Sequence, residues 1–258
     1  MKPDPNTKTS DSPAVVLQAL TKAYNQRTVV DAINLQIPHG IFYGVVGPNG
    51  AGKTTTLSMV AGLLKPTSGT AFINGHDVWS DHTQAMEALG ILMDGLSYPE
   101  RLTARELLEY TGRLRKVKPS DLEQRVTDLL EVLELDTANS TMVVDFSTGM
   151  RKKIALGMAL IHVPDVLILD EPFESIDPVS ANAIEAVLRQ FVSRGGTVIL
   201  SSHVMAFVER LCDRLAIIVA GKVIAEGTVK EVAAGKSLHE RFVELVETRP
   251  PHKQLEWL

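Results

Sequence analysis

Apolar and polar residues alternate along the N-terminal part of the chain in the pattern of β-strands. Residues 33–37 place every second side chain in the apolar class, and residues 41–46 form an apolar run that ends at a glycine-rich turn. Residues 54–64 then predict a helix, and residues 70–73 predict a strand that an Asn-Gly turn closes. The order strand, loop, helix, strand is typical of an α/β protein.

The middle of the chain, about residues 102–163, has helical periodicity. Two capping-box sequences, Thr103 with Glu106 and Ser120 with Glu123, each precede a helical pattern. The second pattern contains an apolar stripe at helical spacing, which consists of Leu122, Val126, Leu129, Leu130 and Leu133. We therefore expect a helical insertion whose apolar face packs into a core.

The alternation of strand and helix returns in the C-terminal half. Residues 166–169 are continuously apolar, which is typical of a parallel strand buried on both faces. A helix that includes residues 184–192 is expected to end at the glycine pair 195–196, and residues 197–201 predict the next strand. Two further strands flank residues 220–221, which predicts a hairpin.

Composition adds mainly exclusions to this picture. The 258 residues are 45% hydrophobic and 22% charged, so the chain can bury the core of a sizeable globular protein. Its single cysteine, Cys212, rules out an intramolecular disulfide and favours a reducing compartment. The formal net charge of −5 gives no bulk attraction to phosphate backbones, so no direct nucleic-acid partner is expected.

Two further patterns concern the membrane and the N-terminus. No apolar run of the sequence approaches the roughly 18 residues that a membrane-spanning helix requires. Residues 1–13 are polar and contain no apolar segment of the secretory type, so they are expected to form a disordered tail. Together these patterns predict a cytoplasmic protein.

A glycine-rich loop between a predicted strand and a predicted helix carries the first chemical motif. It matches G-x-x-x-x-G-K-[ST] and consists of Gly47, Pro48, Asn49, Gly50, Ala51, Gly52, Lys53, Thr54 and Thr55. Glycines let such a loop curl, so that backbone N–H groups and the helix N-terminus converge on phosphate oxygens. We predict that Lys53 reaches the β- and γ-phosphates of ATP and that Thr54 places its hydroxyl on Mg²⁺.

The second motif is an acidic pair, Asp170 and Glu171, directly after the buried strand at residues 166–169. Two adjacent carboxylates at a strand end can divide the work, and the phosphate loop gives them a metal ion to bind. We predict that Asp170 contacts the water shell of Mg²⁺. Glu171 points toward the γ-phosphate in this interpretation and is the general-base candidate.

The segment FSTGMRKKIALGMALIHVPDVLILDEP decides among the classes of P-loop protein. It resembles the signature segment of the ABC ATPases, in which a serine–glycine loop opens a helix that leads through a proline into the carboxylate-bearing strand. Ser147, Gly149, Pro164 and Asp170 occupy those positions, and the resemblance covers about residues 15–228.

This resemblance implies a P-loop NTPase fold with a RecA-like, mostly parallel sheet core, an antiparallel β subdomain and an inserted helical subdomain. The expected bounds are residues 14–236 for the ATPase domain, about 95–163 for the helical subdomain and 237–258 for a short C-terminal tail. The resemblance also implies an ATP-hydrolysing subunit that drives an integral membrane permease. The tail resembles that of subunits paired with exporters, and the expected location is the inner face of the cell membrane.

Four residues take their roles only from this resemblance. Tyr24 matches the aromatic residue that stacks on adenine, and Asp94 stands where the family has a glutamine near Mg²⁺, which the shorter carboxylate reaches through water. Asp177 matches the D-loop, which communicates between two nucleotide sites. His203 matches the switch histidine, whose imidazole contacts the γ-phosphate and acts by orientation and charge stabilisation.

Ser147 and Gly149 carry the further implication that one chain does not make a complete site. In ABC ATPases the serine–glycine loop completes the site of the opposite subunit, so that two ATP molecules lie between two domains. This chain has one P-loop and one signature. The resemblance therefore implies a homodimer, or a heterodimer with a second ATPase subunit.

Departures from the family pattern leave two other functions open. Asp94 replaces the usual glutamine, Thr148 and Met150 alter the signature, and Ile176 precedes Asp177. These departures favour slow or partner-dependent turnover, and they keep open a regulatory subunit that binds ATP without hydrolysing it. The other alternative is a soluble ABC ATPase that acts on nucleic acid or the ribosome. Proteins of that class usually carry a long coiled-coil insertion or a second cassette, which this chain lacks.

Overall fold

Two β-sheets form the centre of the computed structural model, which describes residues 12–93, 95, 97–135 and 140–246. Within these residues the first sheet has four strands in the order β2-β1-β4-β5, and the second has six in the order β10-β9-β3-β8-β7-β6. The strands are β1 (Val15–Tyr24), β2 (Arg27–Ile37), β3 (Phe42–Val46), β4 (Ser68–Ile73), β5 (His76–Asp77), β6 (Leu89–Leu92), β7 (Val166–Leu169), β8 (Thr197–Ser202), β9 (Arg214–Val219) and β10 (Lys222–Thr228).

Helices cover the sheets. In the described part of the chain they are α1 (Lys53–Val60), α2 (His82–Glu87), α3 (Ala104–Leu114), α4 (Pro119–Val132), α5 (Thr148–Leu160), α6 (Pro178–Ser193), α7 (Met205–Leu211), α8 (Val229–Ala233) and α9 (Leu238–Val246). A 3₁₀ turn over Val143–Asp145 precedes α5. Among the residues that the structure describes, no helix combines the length and the apolar character needed to cross a membrane.

The six-stranded sheet lies between two hydrophobic cores. Strands β3, β8, β7 and β6 are parallel, β9 is parallel to β3, and β10 pairs with β9 in the antiparallel sense. In β7, Leu167 and Leu169 face one core while Val166 and Ile168 face the other. Because successive side chains point to opposite faces, a strand between two cores must be apolar throughout. The predicted strand at residues 166–169 is confirmed.

Parallel pairing brings several loops to one edge of this sheet. Val46 pairs with Ser202 at the ends of β3 and β8, and Leu169 of β7 pairs with Leu200 of β8 and Leu92 of β6. The loops that follow these strands therefore leave from the same edge, which is where ligands bind in open parallel sheets. This edge carries the glycine-rich loop, the acidic pair and the strand-end histidine.

The antiparallel sheet packs over α1. Leu57 and Met59 of α1 share a buried cluster with Leu20 and Ile33 of the antiparallel sheet and with Val45 of β3. Helix α1 is therefore covered by the antiparallel sheet on one side and the six-stranded sheet on another. The predicted α/β fold, with a mostly parallel sheet and a separate antiparallel sheet, is confirmed.

Helices α3, α4 and α5 lie between β6 and β7 in the chain, in the region predicted to be a helical insertion. The capping box that opens α3 is present, since the Thr103 side chain accepts a hydrogen bond from the Glu106 backbone and the Thr103 backbone donates to Glu106 Oε2 at 2.8 Å. The apolar stripe of α4 is buried at Leu122, Val126 and Leu130. Its apolar face packs into the core next to α3 and α5, as its spacing predicted.

The second predicted capping box, Ser120 with Glu123, is wrong. Helix α4 begins at Pro119 with Lys118 as its N-cap, and the Ser120 hydroxyl donates to Asp121 Oδ1 at 2.8 Å. Proline at the first helical position has its φ already fixed and lacks the N–H that a cap would satisfy. The proline therefore starts the helix two residues before the predicted first turn.

The helix predicted over residues 54–64 ends early. Helix α1 stops at Val60, and Gly62 adopts a φ of +69°. The Leu63 N–H then bonds to the Ser58 carbonyl at 2.9 Å. A glycine in the left-handed region closes a helix in this way, because the residues after it turn back to satisfy the last carbonyls.

The predicted tails fall partly outside the described residues. Residues 1–11 and 247–258 lie outside them, whereas residues 238–246 of the predicted C-terminal tail form α9. Phe242 and Leu245 of α9 are partly buried and pack against the core on the helical side of the six-stranded sheet.

Leu108→Ala should lower the free energy of unfolding by about 2–5 kcal/mol, because truncating a fully buried leucine removes apolar contacts and leaves a cavity. Leu108 of α3 is fully buried and lies close to Gly157 of α5. Leu114, on the same helix, is 64% exposed, so Leu114→Ala is the matched control and should change stability by less than about 0.5 kcal/mol. Urea unfolding followed by circular dichroism measures both; equal losses would contradict this packing.

Candidate functional site

Two glycines of the loop between β3 and α1, Gly47 and Gly52, have no room for a side chain. Gly52 caps α1 with a φ of +104°, and a Cβ there would lie 2.7 Å from the Val29 carbonyl oxygen. A Cβ at Gly47 would lie 2.2 Å from the Ile218 carbonyl oxygen. Both contacts are with backbone atoms, which cannot move aside as a flexible side chain can. The loop is therefore a tight backbone turn directed at the helix N-terminus.

Lys53 begins α1 and turns its ammonium group back into the loop. The side chain is buried, and its Nζ donates to the carbonyls of Gly47 at 2.8 Å and Pro48 at 3.4 Å. The same Nζ lies 3.8 Å from Glu171 Oε1. A buried ammonium group needs oxygen partners, and phosphate oxygens form stronger, charge-assisted bonds than carbonyls do. This placement suits the binding of a phosphate group by the loop.

Asp170 follows β7 and is held by a serine of the neighbouring strand. It is 4% exposed, and Ser201 Oγ of β8 donates to its Oδ1 at 2.5 Å. Ser201 Oγ also accepts a hydrogen bond from the Glu171 backbone at 2.8 Å. One hydroxyl group therefore fixes both members of the acidic pair at the sheet edge.

Glu171 has an unusual backbone and a well-defined carboxylate position. Its φ is +47°, in the left-handed region that residues with a Cβ seldom adopt, and its carbonyl accepts from Lys152 Nζ at 2.5 Å and from the Glu174 N–H at 3.2 Å. Its Oε2 lies 3.1 Å from His203 Nδ1, while its Oε1 faces Lys53. The carboxylate is therefore held between the lysine of the loop and the histidine after β8.

These groups line one cleft of about 530 Å³. Its lining comprises Val29, Asn49, Gly50, Ala51, Gly52, Lys53, Thr54, Thr55, Gly95, Lys152, Asp170, Glu171, Glu174 and His203. The structure thus brings together the glycine-rich loop, the acidic pair and the strand-end histidine. Asp94, the residue before Gly95, lies outside the described residues.

Tyr24 is not part of that lining. It ends β1 and is 49% exposed, and Lys22 Nζ lies 5.2 Å from the centre of its ring. A cation over one ring face is a favourable contact and leaves an exposed aromatic surface beside the antiparallel sheet. Its role toward adenine remains a prediction.

The signature residues and Asp177 also lie outside the lining, where they form a second group. The Ser147 side chain caps α5 and accepts from the Met150 N–H at 3.3 Å. A Cβ on Gly149 would lie 3.3 Å from Asp177 Oδ2, so the start of α5 packs closely on the loop before α6. Within a single chain, the signature therefore faces the D-loop and not the phosphate loop.

Asp177 acts as the N-cap of α6. Its side chain accepts hydrogen bonds from the backbone of Ser180 at 2.9 Å and of Val179 at 3.0 Å. The Ser180 hydrogen bond is the main cause that lowers the pKa of Asp177 below its ordinary value. The carboxylate is therefore ionised at neutral pH and fixed at the helix start.

Sequence reasoning missed three polar residues around Glu171: Ser201, which is buried beside the acidic pair, and Lys152 and Glu174, which line the cleft. Ser201 is the residue for which the sequence carried a signal, because it is the first polar residue after the apolar run of residues 198–200. Lys152 has basic neighbours in the sequence and Glu174 has acidic ones. Nothing in the spacing of either residue indicates a role in the site. Their contacts with the Glu171 carbonyl appear only in three dimensions.

The residues present fit a nucleoside triphosphate with Mg²⁺. The glycine-rich loop is a tight backbone turn at the start of α1, and Lys53 provides the cation for phosphate. The Thr54 hydroxyl and the Asp170 carboxylate are hard oxygen donors, the type that Mg²⁺ prefers. Together with the sheet topology, these features define a P-loop nucleotide-binding protein.

Comparison with known proteins places the chain more narrowly. The family model described as "ABC transporter" matches residues 30–174, which span the glycine-rich loop, the signature and the acidic pair. The chain belongs to the ABC transporter family. The chain represents the ATP-binding part of such a transporter, because the match covers the nucleotide-binding motifs.

Similar proteins support this assignment. The chain is 37% identical to the daunorubicin/doxorubicin resistance ATP-binding protein DrrA of Streptomyces peucetius, over 87% of this chain and 68% of that protein. It is also 37% identical to the Nod factor export ATP-binding protein I of Rhizobium meliloti, over 84% of this chain and 64% of that one. A solved ATP-binding subunit of an ABC transporter superposes with a TM-score of 0.84 at 28% identity, covering 90% of this chain and 99% of that chain. The chain spans about two thirds of the length of these two relatives.

Lys53→Ala should weaken ATP binding by about 10- to 100-fold, because it removes a charge-assisted contact with phosphate. Lys230→Ala, at an exposed position of α8, is the matched control and should leave the affinity unchanged. Titration calorimetry with ATP and Mg²⁺ measures both variants. An unchanged affinity in the Lys53 variant would contradict a phosphate-binding role.

Proposed function

We propose that this chain is the ATP-hydrolysing subunit of an ABC transporter and powers movement of a substrate, in the direction of export, through a separate integral membrane permease. The observation that carries the proposal is the position of Glu171, whose carboxylate lies 3.1 Å from His203 Nδ1 and 3.8 Å from Lys53 Nζ. A general base beside a phosphate-binding lysine is the arrangement that hydrolysis of a terminal phosphate requires.

In this proposal Glu171 accepts the proton of the attacking water. His203 holds the carboxylate from one side and stabilises charge that develops on the terminal phosphate, while Lys53 neutralises the phosphate from the other. The hydrogen bond that the Glu171 N–H donates to Ser201 Oγ keeps the base at the cleft. Each group acts from a fixed position, so little reorganisation is needed during the reaction.

Mg²⁺ is part of this proposal, with Thr54 and Asp170 as the residues that would hold it, Asp170 through water. When bound, the ion neutralises the charge of the phosphate oxygens. Asp94 belongs to the same proposal from the sequence alone. The Ser201 hydroxyl prepares Asp170 for this role, because it fixes the carboxylate before any ion arrives.

A second ATPase subunit completes the proposal. Ser147 and Gly149 lie outside the cleft of their own chain, and Gly149 packs against Asp177. Ser147, which is exposed, would contact a nucleotide held by a second copy, or by a different ATPase subunit in a heterodimer. Tyr24 would stack on the adenine at the outer end of the cleft. ATP that contacts both subunits would stabilise the closed dimer, and hydrolysis would release it.

The names of two relatives bear on the direction of transport. They are named for drug resistance and for Nod factor export, which supports export as the direction of transport. A chain of this kind would lie in the cytoplasm, on the inner face of the cell membrane, held there by the permease. ATP turnover would then be coupled to rearrangement of the permease.

Glu171→Gln should keep ATP binding and lower the rate of hydrolysis by about 10²- to 10⁴-fold, as expected for the loss of a general base. Phosphate release with ATP and Mg²⁺ measures the rate, and light scattering measures the mass with bound ATP. The variant should form a dimer stable enough to observe, because it closes on ATP without destroying it. Glu209→Gln, at an exposed position of α7, is the matched control and should behave as the wild type.

The outcomes separate the proposed functions. Near-normal turnover in Glu171→Gln would remove this residue from the mechanism. Tight ATP binding without turnover in the wild-type protein, even with the permease co-purified from membranes, would favour the regulatory subunit. Stimulation of turnover by RNA or ribosomes, and not by the permease, would favour the nucleic-acid machine.

A further inference from the structure

We propose that Lys152 is a positioning residue, which fixes the backbone of Glu171 from α5. Helix α5 begins with the signature, which in the proposed dimer serves the nucleotide site of the opposite subunit. The same helix would therefore also hold the general base of its own site. The proposal rests on the proposed function of Glu171 as the base. It assigns a role to a residue that the sequence motifs leave without one.

The contact itself is short and charge-assisted. Lys152 Nζ donates to the Glu171 carbonyl oxygen at 2.5 Å, and the side chain is half-buried in the wall of the cleft. A hydrogen bond from an ammonium group is about twice as strong as one between neutral groups. In a cleft partly shielded from water such a bond restrains the carbonyl effectively.

The carbonyl that Lys152 binds belongs to a backbone that needs restraint. Glu171 has a φ of +47°, which a residue with a Cβ adopts only when its surroundings impose it. Three bonds impose it here: Ser201 Oγ accepts from the Glu171 N–H, and the carbonyl accepts from Lys152 and from the Glu174 N–H. Of these three partners, Lys152 is the one that lies in the helical insertion, on α5.

The neighbours of Lys152 bind other groups. Arg151 donates to the carbonyls of Phe146 at 3.1 Å and Val144 at 2.6 Å, and Lys153 pairs with Glu134 at 2.7 Å. The three consecutive cations thus have separate partners. The flanking two fix α5 within the helical insertion, whereas Lys152 reaches across to the strand-end loop of the sheet core.

Helix α5 joins this contact to the signature. Ser147 caps the helix, and Lys152 lies five residues further, or about 7.5 Å along the helix axis at the usual rise. A rigid helix transmits a shift of its N-terminus to a residue one and a half turns away. The position of Glu171 therefore depends on the position of the signature loop of its own chain.

Backbone amide exchange of the nucleotide-free protein tests the positioning role without any need for turnover. Lys152→Met should speed exchange in a peptide that covers residues 171–174 by about tenfold, because the turn loses one of its restraints. Lys152→Arg should restore protection, since a guanidinium group is also a charged donor on a long side chain. Lys230→Met on α8 is the matched control and should leave this peptide unchanged.

Steady-state hydrolysis tests the consequence for the base. Lys152→Met should lower kcat by about 10- to 100-fold with KM for ATP within about twofold, which is the size of effect that a displaced catalytic group produces. Lys152→Arg should recover most of that loss. In the Glu171→Gln background, Lys152→Met should still allow the ATP-bound dimer to form, which shows that folding, binding and closure are intact.

The outcomes are distinct. Unchanged exchange at residues 171–174, unchanged kcat, or a rise in KM that accounts for the whole effect would each overturn the role of Lys152. A wild-type protein that never hydrolyses ATP would instead count against the proposed function, and the exchange measurement alone would then decide whether Lys152 positions the Glu171 backbone.

Discussion

Parallel pairing of buried strands is the constraint on which the cleft depends. Strands β3, β8, β7 and β6 lie side by side between two hydrophobic cores, so their carboxyl ends must leave the sheet at one edge. Residues that are far apart in sequence, such as Lys53, Asp170 and His203, meet there without any long-range attraction between them. Burial of apolar surface on both faces stabilises the sheet, and the sheet then positions the side chains of the cleft.

Much of the fold could be predicted because it depends on local pattern. The apolar run at residues 166–169, the capping box at Thr103 and the hairpin around residues 220–221 each follow from short stretches of sequence, and each is present. The capping box expected at Ser120 failed for a local reason as well, since Pro119 starts the helix earlier. Errors of this kind move the end of an element by a few residues and leave the fold intact.

The residues of the cleft could be predicted only where they belong to a sequence motif. The glycine-rich loop and the acidic pair can be read from sequence because their chemistry fixes residue types at fixed spacing. Ser201 and Lys152 act on the acidic pair through space, from 31 and 19 residues away along the chain, and no spacing rule connects them to it. Tyr24 shows the opposite case: its family role concerns a nucleotide base, and the single chain places its ring outside the cleft lining.

The turn between β9 and β10 limits where the chain can accept insertions. Gly221 donates its N–H to the Ala51 carbonyl of the P-loop at 2.9 Å, and its own carbonyl accepts from Asp31 of β2, also at 2.9 Å. A Cβ on Gly221 would lie 2.5 Å from the Val29 carbonyl oxygen. Hairpin tips commonly tolerate insertions, peptide tags and circular permutation. This hairpin tip is packed between the P-loop and the antiparallel sheet and is hydrogen-bonded to both. Lengthening it would therefore change the conformation of the phosphate loop.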